Sequence, residues 1–314
     1  MAHMIETMAW AGESPWHGLG VEVLGDLTPV QMMEKAGLDW TVEKHPTFAI
    51  INDEPVITPA QALIRSSDNK VLTMVSDDWN PVQNIEAFEF FNEFVHAGDM
   101  DMHTAGSLKG GQMVWALAKV HENFEILGGD RVESYLLFSN PHQYGRGIDI
   151  RFTPIRVVCN NTLTLSLSGN SDTMVKLNHR RKFDADLVKS TLGIAKQKMG
   201  EYKDVAQFLA SKRYTTESVE NYLKDVFPSL SKKDNSVMSR TAEEAMAVLE
   251  TQPGNQFGRG TWWQAFNAVT FTTDHTTGHS NETRLQSAWY GQNRHRKVVA
   301  LEKAVEYAEK AWAA

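Results

Sequence analysis

Apolar and polar positions change period once along the chain. Up to about residue 178 the apolar runs are short and mostly alternate with polar residues. Beyond it they recur every three or four positions. Thr28-Pro29 followed by Val30 to Ala36 predicts a short capped helix with Pro at its first position and Gly37 at its end. Trp40 to His45 and Phe48 to Ile51 read as strands. Ala62 to Arg65 and Lys70 to Val75, split by Ser66-Ser-Asp-Asn69, read as a hairpin. Asn84 is expected to cap a helix from Ile85 to Ala97, with Ile85, Phe88, Phe91 (or Phe90), Phe94 and Val95 on its apolar side and Gly98 at its end. Gly111 to Val120 and Val132 to Phe138 are further strands. Ile148, Ile150 and Phe152 alternate with Asp149, Arg151 and Thr153, and Leu163, Leu165 and Leu167 alternate with Thr and Ser. That pattern predicts strands with one buried and one wet face. Cys159-Asn160-Asn161 is placed to turn the chain between them.

From Asp184, a candidate cap, Leu187, Ile194, Ala195, Met199, Tyr202, Ala206 and Leu209 form one helical stripe. Shorter helices follow at Glu217 to Phe227, ended by Pro228, and at Ala242 to Leu249, Trp262 to Thr272 and Val298 to Trp312. The sum is an α+β fold, with a mainly antiparallel sheet plus helices in the first part and a helical C-terminal part. The expected organisation is a β-rich domain over residues 1–178 and a mostly helical region over 179–314, separate from the first or packed as one domain with it.

The chain has 314 residues, of which 42% are hydrophobic and 22% charged, a globular composition. No apolar run reaches the roughly 20 residues of a membrane span. The first residues carry no basic-then-apolar leader, and part of them reads as a cloning remnant. Cys159 is the one cysteine, so no intrachain disulfide can form and a reducing, cytoplasmic setting is expected.

The net charge of −8 hides a division. Residues 1–140 hold 7 Lys+Arg against 21 Asp+Glu, and the remainder holds 24 against 18. The excess of cations is concentrated. Between His142 and Lys182 stand Arg146, Arg151, Arg156, Lys176, Arg180, Arg181 and Lys182, against Asp149 and Asp172 only. Cations spaced in this way suit a phosphate backbone, and the interleaved Tyr144 and Phe152 offer rings on which bases stack. The plainer reading is a solvated strand face and a basic connector. A second basic run, Arg284, Arg294, Arg296 and Lys297, leads into the last helix. There it opposes the helix dipole and suits an external anion, although a flexible polar loop is the simpler account.

Catalytic signatures are weak. Asp274-His275-Thr-Thr-Gly-His279 offers three metal ligands, but Gly278 and the threonines argue for a loop. Val157-Val-Cys159 reads as an apolar strand with a small buried thiol. No Gly-x-Ser-x-Gly elbow or phosphate loop is present, since Gly106-Ser-Leu-Lys-Gly110-Gly111 lacks the Gly-Lys-Ser/Thr ending. No cofactor is expected, and no catalytic residue is assigned.

Three segments, in order, carry a resemblance. They are Glu13-Ser-Pro-Trp16-His17-Gly18-Leu-Gly20, Pro154-Ile-Arg156-Val-Val-Cys159-Asn-Asn161-Thr-Leu, and Gly260-Thr-Trp-Trp-Gln-Ala-Phe-Asn267 with Asp274-His275 and Arg284-Leu-Gln-Ser-Ala-Trp289-Tyr-Gly291. Together they resemble the phage/plasmid-like proteins that carry domain of unknown function 932. More remotely, that family is similar to the phage single-strand annealing recombination proteins. The resemblance implies a mobile-element protein in a bacterial cytoplasm. The more remote one implies a β-sheet backed by helices, multimers, and a hold on single-stranded DNA. Two rival readings stand beside it: an interaction protein that binds or inhibits a host factor, and an enzyme whose site is built from scattered residues such as His17, Asn267, Asp274 and His275.

Overall fold

The computed structural model describes residues 5–12, 20–98, 100–156, 161–162, 185–229, 237–278 and 280–313. The fold is α+β, with antiparallel sheets in the first half and helices in the second. Chain contacts divide it into two compact units. One comprises Met1–His121, Tyr135–Arg151 and Ser166–Ile194, the other Glu122–Ser134, Phe152–Leu165 and Ala195–Ala314.

In order, the first half contains β1 (Ile5–Ala11), β2 (Val21–Val23), α1 (Pro29–Lys35), β3 (Val42–Ile51), β4 (Glu54–Arg65), β5 (Lys70–Ser76) and α2 (Asn84–Gly98). Then come β6 (Met100–Leu108), β7 (Met113–Glu125), β8 (Arg131–Pro141), β9 (Asp149–Arg156) and β10 (Asn161–Thr162). One sheet has the order β10-β9-β8-β7-β6-β1-β2, and the other is the meander β3-β4-β5.

Local chemistry explains several boundaries. Thr28 opens α1 with a capping box. Its hydroxyl accepts from the Gln31 N–H, and the Gln31 side chain accepts from the Thr28 N–H. The helix closes on Gly37, whose φ of +67° lets its N–H reach Glu34 O while the Leu38 N–H reaches Met33 O. Those paired bonds are a Schellman motif, and they satisfy two carbonyls at the helix end. Thr28→Ala is expected to cost about 1 kcal/mol, read as a lower urea midpoint at unchanged m-value.

Three local expectations change in the folded chain. Asn84 does not cap α2. Its side chain instead donates to Leu38 O at 2.9 Å and accepts from the His142 ring at 2.9 Å, while Glu86 serves the Gln83 N–H. Tertiary partners outcompete the cap because a buried amide has to satisfy every polar atom it carries. Strand β9 has no wet face. Asp149 and Thr153 are buried along with Ile150 and Phe152, since both sides of the strand are covered. The third change concerns residues 272–297 and is described below. The Leu163 to Leu167 alternation, the Cys159 turn and the Asp184 cap lie outside the described residues.

The second half holds α3 (Ala185–Ser211), α4 (Thr216–Val226), α5 (Arg240–Val248) and α6 (Trp262–Phe271). After a π-helical turn at Thr272–Thr276 come α7 (Asn281–Tyr290) and α8 (Gln292–Ala313). Thr215, Ser239, Thr261 and Ser280 cap α4 to α7 in turn, each accepting from a backbone N–H three residues on. Trp262, Trp263, Phe266, Tyr222 and Leu223 fill the core of the second unit, against Ala300, Ala304 and Ala308 at helical spacing on α8. The Tyr222 hydroxyl donates to Ala300 O at 3.1 Å, and burial pushes its pKa well up.

The run from Arg284 to Lys297 is therefore helical and not a loop. Leu285, Ala288 and Trp289 are buried at helical spacing. Lys297 is drawn inside to Asp274, at 2.7 Å, with both side chains fully buried. That contact also turns Asp274 inward on the π-helical turn, where the sequence suggested a loop. Asn293 donates to Thr273 O at 2.9 Å and ties the start of α8 to the same turn.

Candidate nucleic-acid interface

In the first unit, three connections meet at one end of the strands. The β4–β5 turn is made by Ser66 to Asn69, with Asn69 at φ +58°. Arg65 grips Asp68 through Nε at 2.8 Å, and this holds the Asp68 carboxyl down at about 2. Directly after it, the Lys70 ammonium lies against the backbone of Gly110, in the space where a Cβ at that position would stand. The β6–β7 turn has three successive left-handed residues, Lys109, Gly110 and Gly111, so a glycine at 110 serves both the backbone and the lysine.

The β8–β9 connection joins them. Gln112 is the fastening. Its backbone carbonyl accepts from the His142 N–H at 2.9 Å, its Oε1 accepts from Gln143 Nε2 at 2.9 Å, and its amide donates to Leu72 O. Tyr144 and Arg146 follow, both exposed, with the Tyr144 ring 60% exposed. The Lys109 ammonium is held below its usual pKa, first by partial burial and then by the Arg146 charge. Lys109 and Arg146 thus share one charge environment, Lys70 reaches the Gly110 backbone next to Lys109, and the exposed Tyr144 stands on the same connection as Arg146. A concentration of like charge favours an anion. Underneath, Arg65 lies over the Trp40 ring at 5.4 Å and His142 packs on the same ring at 5.3 Å, a rigid floor for the three loops.

The other expected residues are placed differently. Arg151 is mostly buried, and its Nε donates to Asp149 Oδ2 at 2.5 Å. Arg156 is 4% exposed and makes a two-pronged contact with Asp130, at 2.7 and 2.8 Å. It also donates to Gly254 O at 2.8 Å and lies over Trp263, whose indole N–H reaches the same carboxylate at 2.8 Å. Its charge serves the core of the second unit. Lys176, Arg180, Arg181 and Lys182 lie outside the described residues, as do His17 and His279.

Sequence counting missed Lys70 and Lys109 because they stand in the acid-rich half, where each is an isolated cation. The one available signal was the Lys109-Gly110-Gly111 turn, which reads as ordinary until the β4–β5 lysine is brought onto it. His275 stacks on Phe271 at 4.5 Å, and Asp274 faces Lys297. Among the described residues, no three His, Cys, Asp or Glu side chains are grouped so that they could hold a metal ion. Among them, too, no helix is long and apolar enough to cross a membrane.

Fold and site define an α+β protein that carries a cation cluster on the loops at one end of its strands. The family model described as "Domain of unknown function (DUF932)" matches residues 71–304, and the chain belongs to that family. No curated protein and no solved structure matches it. The matched span takes in the Pro154 and Gly260 to Gly291 motifs and leaves out Glu13 to Gly20.

Proposed function

We propose that the chain is a phage- or plasmid-encoded protein of the bacterial cytoplasm. In this reading it holds single-stranded DNA in a basic groove, as a multimer, in the manner of a single-strand annealing protein. The observation that carries it is the charge of Arg146 acting on Lys109, with Lys70 against the adjacent Gly110 and the exposed Tyr144 on the same connection as Arg146. Cations alone would bind any phosphate. A ring among them adds a surface that only an unpaired base can use. Lys176, Arg180, Arg181 and Lys182 belong to the same proposal, extending the groove along the basic connector. Arg151 and Arg156 take structural roles in this reading, since their charges are matched by Asp149 and Asp130. Attraction between the acidic first half of one copy and the basic second half of another supports multimers that loosen as salt rises.

The test is fluorescence anisotropy with a labelled oligothymidine across a salt series. Log affinity should fall with log salt by about 0.7 for each phosphate contact. The Lys70→Ala, Lys109→Ala, Arg146→Ala triple variant should flatten that slope by roughly 2. Tyr144→Ala should weaken binding by about 1–3 kcal/mol and leave the slope unchanged. Arg180→Ala, Arg181→Ala, Lys182→Ala should flatten the slope as well. If the wild type does not bind at low salt, or the first triple variant keeps its slope, the interaction-protein reading takes over.

A further inference from the structure

Strands β3 and β4 run on beyond β5. Pairing of β4 with β5 starts at Ala60, whereas β3 and β4 stay paired out to Ile51 and Glu54. The result is a two-stranded arm, closed by Asn52-Asp53 with φ of +53° and +65°, the left-handed pair that a two-residue type I′ hairpin needs. An isolated two-stranded hairpin is marginal in water. This one also exposes its apolar side chains: Phe48 is 53% exposed, Ile50 68%, Ile51 54%, Val56 46% and Ile57 69%. Both of its faces are apolar, and among the described strands the outer edges of Thr47–Ile51 and Glu54–Pro59 have no partner. Pro46 and Pro59 bound these stretches and limit how far any pairing can spread.

The chemistry of the arm narrows its occupant. From Thr47 to Pro59 there is no lysine or arginine, and the tip carries Asp53 and Glu54. Nucleic acid and anionic lipid are both disfavoured by that charge. An open strand edge with apolar flanks suits another strand.

We propose that the arm is the self-association element of this protein, pairing with the arm of a second copy. The strand itself supplies the complement. Antiparallel pairing of two β3 edges about a two-fold axis at Ala49, the smallest side chain of the arm, sets Phe48 beside Ile50 of the second copy. It also turns the acidic tip, Asp53 and Glu54, toward the root of the other copy, where His45 is exposed and the Lys44 ammonium donates to Asp77 O. The Phe48–Ile50 contact is made twice, as a two-fold interface requires. The inference deepens the multimer part of the proposed function and is independent of the DNA part. The arm lies outside the matched family span of residues 71–304.

The experiment is sedimentation velocity on the full chain over a concentration series at low salt, with circular dichroism as a control for folding. The wild type should sediment as species heavier than the 35.3 kDa monomer. Ile50→Lys should weaken association at least about tenfold, equal to about 1.4 kcal/mol. Ala49→Cys in a Cys159→Ser background should form a disulfide-linked dimer under mild oxidation, because the axis sets the two thiols directly across from each other. Wild-type monomer throughout would overturn both the arm and the multimer reading. A wild-type multimer that Ile50→Lys leaves intact would overturn the arm alone. A wild-type multimer in which Ala49→Cys gives no disulfide-linked dimer would overturn the pairing about Ala49.

Discussion

Asp274→Ala is expected to lower the unfolding free energy by about 3–5 kcal/mol. Asp274 and Lys297 face each other at 2.7 Å with neither side chain exposed. Removing the carboxylate leaves an ammonium in the core without its counter-charge, and that stranding dominates the loss. Replacing both charges, as in Asp274→Asn with Lys297→Met, should cost less than the single change, because nothing charged is then left behind. Urea denaturation of the three proteins measures this. A single variant within about 1 kcal/mol of wild type would sink the argument.

The same pair predicts a pH dependence. Burial holds the Lys297 ammonium below its ordinary pKa, and Asp274 opposes that shift. Between the lowered folded value and the ordinary lysine value, the unfolded chain binds more protons than the folded one. The contribution of Lys297 to stability therefore rises with pH through that alkaline window. In Asp274→Asn the opposing attraction is gone and the folded value drops further. The rise should then start at lower pH, which denaturation midpoints measured across alkaline buffers will show.

Asp130→Ala should produce a loss of similar size, about 3–5 kcal/mol. Asp130 is fully buried and accepts from both prongs of Arg156 and from the Trp263 indole, so one substitution leaves three donors on two residues short. Arg156→Lys should also destabilise, because an ammonium cannot make the two-pronged contact and still reach Gly254 O. This variant carries functional information as well. If Arg156 is structural, its salt slope for oligonucleotide binding should match wild type once the protein is kept folded. A flattened slope at normal stability would return Arg156 to the groove.

Local chemistry was legible in the sequence. Thr28, Gly37, the Ser66 to Asn69 turn and the phenylalanines of α2 each act through neighbours within a few residues, and each reads correctly as a cap, a turn or an apolar stripe, whereas Ile85, read on the same stripe, is exposed at the helix start. The change from alternating to helical spacing determined the α+β class, because period two and period 3.6 bury different faces. Tertiary structure decided where charge goes. Asn84 reads as a cap until Leu38 and His142 arrive beside it. Arg156 and Lys297 read as solvent-facing cations until Asp130, 26 positions away, and Asp274, 23 positions away, meet them. Lys70 and Lys109 read as scattered cations until two hairpin turns bring Lys70 onto Gly110, the residue next to Lys109. A charge has no periodicity of its own. Its role depends on which partner the fold brings within a few ångströms, and pairing across the sheet and between helices supplies partners that neighbouring sequence does not contain.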